Sequence, residues 1–194
     1  MSQNFIDIIK SIINLPEEYI NILFSLSRKI VLKKGDFFIR EGEIPNKFAF
    51  NIQGLFRYYY IDNKGNDFTK GFIKENELII SYSAMIQNKQ SSYFIEALED
   101  SIILVILYKD WLELVKKNIL LELVTKSFLE KGFIKKESRE REFLLDDAKT
   151  RYKNFLVEFS DISNRLKDYH IASYLGITPI ALSRIKKNLK LNLC

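Results

Sequence analysis

The stretch HIASYLGITPIALSRIKK, residues 170–187, decides how the chain is read. Ile171, Ala172 and Leu175 fall on one face of a short helix, and the small Ala172 lets a second helix approach closely. Gly176 suits the left-handed conformation that ends a helix. Ile177 plugs the corner, Thr178 can cap the next helix, and Pro179 fits its first turn. Leu182 and Ile185 then face back to the core, while Ser183, Arg184, Lys186 and Lys187 point mainly outward. By residue chemistry this is a helix-turn-helix with a basic outer face.

Charge supports that reading. The chain carries a net +5. From Asp147 to the end there are nine cations against four acids, so the last quarter holds the whole excess. A basic patch confined to one small helical segment predicts a polyanion, double-stranded DNA, as partner. The plainer explanation, lysines complementing a helix C-terminus, covers Lys187 and Lys190 but not the asymmetry of the segment.

Composition narrows the remaining functions. With 194 residues and 47% hydrophobic residues the chain can bury one large core or two small ones. One His (His170) and one Cys (Cys194) leave no material for a Cys-ligated iron–sulfur cluster and very little for a zinc site or a His-based nucleophilic engine. No enzyme activity, cofactor or metal is expected. No apolar run is long enough for a membrane span, and the start MSQNFIDIIKSIINL lacks a cationic region and a cleavage site. A cytoplasmic protein is the simplest expectation.

Outward from the hairpin the chain changes character twice. Phe5, Ile8, Ile9, Ile12 and Ile13 recur at helical spacing, and a helix restarts after Pro16, with helix expected to about Ser27. From Arg28 short aromatic runs alternate with turn residues: Phe48, Phe50 and Ile52 on one face, Phe56, Tyr58 and Tyr60 on one face of the next run, Arg57 and Tyr59 opposite. That is the signature of an antiparallel sandwich or barrel. Two more strands flank Glu99-Asp100. From Asp110, a plausible N-cap, to Leu145 the pattern is helical, with Leu114, Ile119, Leu123, Phe128 and Ile134 apolar and Gly132 as the point of interruption. This helix either packs on the sheet or forms a dimer seam. From Asp147 to Leu166 the chain is again expected to be helical.

At residues 171–189, IASYLGITPIALSRIKKNL, the sequence resembles the Crp/Fnr family of bacterial transcription regulators. LKKGDFFIREGEIPNKFAFNIQGLFRYYYIDNKG is similar to the opening strands of that family's cyclic-nucleotide-binding-type β-roll. EALEDSIILVI resembles its later strands, and DAKTRYKNFL the first helix of its DNA-binding domain. The resemblance implies an α+β chain. Residues 1–109 would form an antiparallel, jelly-roll-like sensor β-roll with N-terminal helices, 110–146 a dimerisation helix, and 147–194 a helix-turn-helix domain. With the sequence ending soon after Lys190, the wing is expected to be reduced or absent. A homodimer is implied, RNA polymerase is open as a further partner, and the small-molecule effector is unknown.

The resemblance also implies where ligands go. Members that bind cyclic nucleotide carry a Phe-Gly-Glu segment and a downstream Arg-Ser/Thr-Ala segment. Here Ser81 and Tyr82 stand where Gly-Glu would be, and Ser91 about where the Arg would be. A buried phosphate without that Arg is costly, so cyclic AMP is not the expected effector. Phe72, Tyr82, Ser91 and Phe94 are candidates for lining an effector pocket, with plain core packing as the simpler role. On the recognition helix, Thr178, Pro179, Ile180, Ser183, Arg184, Lys186 and Lys187 are the candidate DNA contacts, with Ile180 suited to a thymine methyl and Arg184 to guanine. The alternative is a ligand-sensing or protein-interaction module that has lost specific DNA recognition.

Overall fold

The computed structural model describes residues 16–191; the helix expected over residues 5–13 and Cys194 lie outside them. The described elements are α1 (Glu17–Leu26), β1 (Arg28–Leu32), β2 (Phe37–Ile39), β3 (Lys47–Gln53), β4 (Phe56–Ile61), β5 (Asp67–Ile73), β6 (Leu78–Ile79), α2 (Tyr82–Gln87), β7 (Phe94–Ala97) and β8 (Ser101–Leu107). Helices then follow: α3 (Tyr108–Lys117), α4 (Ile119–Leu145), α5 (Ala148–Glu158), α6 (Asp168–Leu175) and α7 (Pro179–Leu191). They form two compact units, one within residues 16–60 and 71–132, the other within 61–70 and 133–191.

In the first unit two four-stranded antiparallel sheets stack, ordered β1-β8-β3-β6 and β2-β7-β4-β5. Strand alternation sorts the side chains. Ala49, Ile103 and Val105 meet Phe56, Ile95 and Ala97 between the sheets. Phe48, Phe50 and Ile106, on the other face of β3 and β8, pack under Ile20 and Leu23 of α1, Trp111 and Leu114 of α3, and Leu121 and Val124 of α4. The expected strands around Glu99-Asp100 are present, but β7 and β8 sit in different sheets, so that corner carries the chain across the sandwich.

The helical half differs from expectation in three places. The helix begins at Tyr108, with Asp110 inside its first turn and Leu107 at the cap position. It breaks at Asn118, not at Gly132: Asn118 is extended (φ −150°, ψ 111°), and its Oδ1 accepts a hydrogen bond from Leu120 N at 2.8 Å. An asparagine that satisfies a free donor of the next helix is a stronger stop than one glycine within a good helical run. Gly132 lies inside the 27-residue α4. Finally, α5 ends at Glu158 and residues 159–165 are turns, since Ser160, Asp161, Ser163 and Asn164 favour local side-chain bonds over helix. Phe128, named above as an apolar position of the helix, packs against its own unit's core.

Candidate nucleic-acid interface

The second unit is built around three aromatic rings. Phe155, Phe159 and Tyr174 lie with centroids 5.1–5.6 Å apart, and Ile162, Leu166, Ile171, Ala172, Leu175 and Leu182 are buried with them. Burial holds the Tyr174 phenol at a pKa of about 12, and the neighbouring Arg139 opposes that shift in part. Asp147 opens α5 as a true cap: its Oδ1 accepts from Thr150 N at 2.7 Å, which lowers its pKa.

The corner forms as the sequence predicts. Gly176 has φ +68°, and Ile177 N donates to Ala172 O at 3.0 Å while Gly176 N donates to Ser173 O at 3.2 Å, the paired closure of a Schellman motif. Thr178 Oγ1 accepts from Ala181 N at 3.2 Å and starts α7. Leu182 is fully buried, and Ile185 is half-buried.

Six of the seven residues assigned to DNA lie exposed on α7 and its start: Thr178, Pro179, Ile180, Ser183, Arg184 and Lys187. Ile180 is 67% exposed on the same face. Lys186 differs: its ammonium pairs with Asp168 of α6. Arg184 makes no hydrogen bond or ion pair with any described residue.

Part of the basic excess is structural. Arg151 Nη1 donates to Asp146 O at 2.7 Å and its Nη2 to Leu175 O at 3.1 Å. Arg151 and Lys186 are therefore committed inside the unit, while Lys149, Lys153, Arg184 and Lys187 face solvent. Sequence counting could not separate these two groups.

The roll's candidate effector residues lie in β5 (Phe72), in α2 (Tyr82), just before β7 (Ser91) and in β7 (Phe94). Ser91 is buried, its Oγ 3.0 Å from Ser81 Oγ and donating to Tyr93 O at 2.9 Å. Phe94 stacks on Tyr59 (5.2 Å) and meets Phe37 edge-on (5.7 Å). Tyr82 lies near Tyr108 at the start of α3, and Phe72 is buried in β5. What the sequence left unnoticed is a phenol cluster. Tyr58 accepts from Ile80 N at 3.1 Å and donates to Leu78 O at 3.3 Å, Tyr93 donates to Ile80 O, and the Tyr58 and Tyr60 rings lie 5.6 and 5.7 Å from Tyr93. Burial raises the pKa of all three phenols, so they are neutral donors and acceptors.

Residues 29–118 match the cyclic nucleotide-binding domain family. No curated protein matches the chain. Among solved structures it is similar to FixK2 from Bradyrhizobium japonicum (TM-score 0.74, 16% identity, 86% of this chain and 85% of that one). It is also similar to CLP from Xanthomonas campestris, described as a c-di-GMP responsive global regulator (TM-score 0.74, 13% identity, 91% and 93%). A Crp/Fnr family transcriptional regulator from Thermus thermophilus aligns with TM-score 0.69 and 18% identity over 85% and 87%. The chain shares the fold of these structures, with a cyclic-nucleotide-binding-type β-roll followed by a helix-turn-helix.

Proposed function

We propose that this chain is a DNA-binding transcription regulator of the Crp/Fnr type that acts as a homodimer. The observation that carries the reading is the outer face of α7. Ile180, Ser183, Arg184 and Lys187 are exposed on a helix whose opposite side, through Leu182, is locked into a core. A guanidinium with no acidic partner among the described residues suits, on such a helix, the O6/N7 edge of guanine, and an exposed isoleucine suits a thymine methyl. Lys187, further along the helix, suits phosphate.

Dimerisation through α4 rests on its uncovered face. Phe133 and Leu144 are 66% and 77% exposed, three helical turns apart on one side, with Glu137 and Glu140 between them and Lys136 and Arg141 alongside. Apolar residues bracketing mixed charges fit a self-complementary helix pair.

For the effector, the chemistry argues against cyclic nucleotide. Ser81 and Ser91 satisfy one another and the Tyr93 backbone, and neither has a cation among its contacts. A cyclic phosphate placed there would lose its water without gaining a counter-charge. Calorimetry with cyclic AMP is expected to show no binding at micromolar concentration; a micromolar or tighter constant would mean that the roll uses other anchors.

The DNA reading is tested by selecting duplexes from a random library with the parent chain, then repeating the selection with Arg184→Ala. The expected result is an enriched site in which one guanine position loses its preference in the variant. Failure to enrich any sequence, with retardation of no duplex, would favour a sensing or protein-interaction module.

A further inference from the structure

Helix α6 ends on carbonyls that its own helix cannot satisfy. Ala172 O and Ser173 O are taken by the turn at Gly176 and Ile177. The next two are taken by guanidinium groups from two other helices. Arg139 of α4 donates to Tyr174 O at 2.8 Å, and Arg151 of α5 donates to Leu175 O. Between these arginines stands the Phe143 ring, 4.8 Å from one guanidinium and 4.9 Å from the other. The corner rests against this ring, since a Cβ on Gly176 would lie 2.9 Å from Phe143 Cε1.

Arg139 has a second task. The same Nη2 donates to Thr69 O at 3.0 Å, and its guanidinium lies 3.7 Å from the centre of the Tyr174 ring. Thr69 lies in β5, within residues 61–70, the end of the β4–β5 hairpin that belongs to the second compact unit. A hydroxyl on α6 completes the tie. Ser173 Oγ accepts from Thr69 N at 2.8 Å, lies 3.0 Å from Thr69 Oγ1, and donates towards Asp67.

We infer that Arg139 is the positioning residue of the DNA-reading hairpin. It fixes the end of α6, and through the Gly176 corner the start of α7, to the C-terminal half of α4 and to the hairpin tip. This inference rests on the proposed DNA-binding function. None of the tie's atoms belongs to the exposed reading face, so Arg139 acts by orientation and not by touching DNA. If α4 carries the dimer axis, the tie sets the direction and separation at which two copies of α7 meet two half-sites. A planar guanidinium that bonds two carbonyls while stacked on Tyr174 is not matched by an ammonium, which lacks the stacking plane.

The test compares the parent chain with Arg139→Ala, Arg139→Lys and Ser173→Ala. The DNA probes are a duplex selected by the parent from random sequence and the same duplex with its half-sites moved apart by one base pair. Arg139→Ala should bind the selected duplex about ten-fold more weakly. It should also discriminate less between the two spacings and keep the parent's salt dependence. Arg139→Lys should fall in between. Amide hydrogen exchange should quicken at Thr69 and Gly176 in Arg139→Ala and Ser173→Ala, while the roll stays as protected as in the parent. If Arg139→Ala fails to fold, Ser173→Ala carries both measurements. Unchanged spacing preference, or a salt slope reduced by about one charge, would overturn the positioning role, the latter by placing Arg139 on phosphate. If the parent binds no duplex, the function fails separately, and exchange alone decides the tie: unaltered protection at Thr69 and Gly176 would refute it.

Discussion

Gly54 shows how much one residue can hold. Its φ is +115°, and an added Cβ would lie 2.1 Å from Ser101 Oγ and 2.8 Å from the Ser101 Cα. The neighbouring bonds assume this conformation: Asn51 Nδ2 donates to Gly54 O at 2.7 Å, and Gly54 N donates to Glu75 Oε1 at 2.9 Å. Gly54→Ala therefore meets both strain and a clash with backbone. It is expected to cost more than about 2 kcal/mol, read as a lowered midpoint in urea; an unchanged midpoint would show that β3 can shift to make room. A second single-residue effect is electrostatic. Burial, then the charge of Lys136, lowers Lys70 from 10.5 to about 8. The folded state thus releases a proton in a range where the unfolded chain keeps it. Stability carried by this residue rises with pH from about 8 towards 10.5 and is lost as pH falls through 8. Lys70→Met should flatten that rise; an identical pH profile would show that Lys70 escapes its burial.

At the scale of elements, what could be read in the sequence and what could not divide by distance along the chain. The corner at Gly176, Thr178 and Pro179 was readable because each residue does its work within a few positions of itself. Strand alternation was readable for the same reason, and it placed Phe48 and Phe50 on a common face. The Arg139 tie was not, because its partners lie 35 and 70 residues away. Nor did counting charges reveal that Arg151 serves Leu175 O. The break in the helical run was misplaced at Gly132 because glycine was weighed by propensity, whereas Asn118 acts through a specific bond to Leu120 N. Asn118→Ala should cost about 1 kcal/mol as a lost cap, seen in thermal unfolding; no change would mean that packing alone ends α3. For α4, Phe133→Glu together with Leu144→Glu should convert a dimer to a monomer in sedimentation at micromolar concentration. An unchanged mass would remove this face from the seam. Phe128 is a poor probe, since it packs within its own unit's core and its loss would destabilise the fold.

On the scale of the whole molecule, the chain combines a two-sheet roll, a 27-residue helix and a helix-turn-helix whose outer face is exposed. The roll keeps the architecture of a cyclic nucleotide-binding domain over residues 29–118. Within it Ser81 and Ser91 are bonded to one another, and the Tyr58 and Tyr60 rings pack against Tyr93. In the function proposed above, the input to the chain is a ligand other than a cyclic nucleotide, or no ligand at all, and the output is DNA binding. That output is measured most directly by retardation of duplex DNA across a salt series, using the parent chain and Lys187→Ala. The account predicts that affinity falls steeply and log-linearly with salt, and that Lys187→Ala weakens selected and random duplexes alike while reducing the slope by about one charge. Retardation of no duplex even at low salt, or a Lys187→Ala slope equal to the parent's, would contradict it.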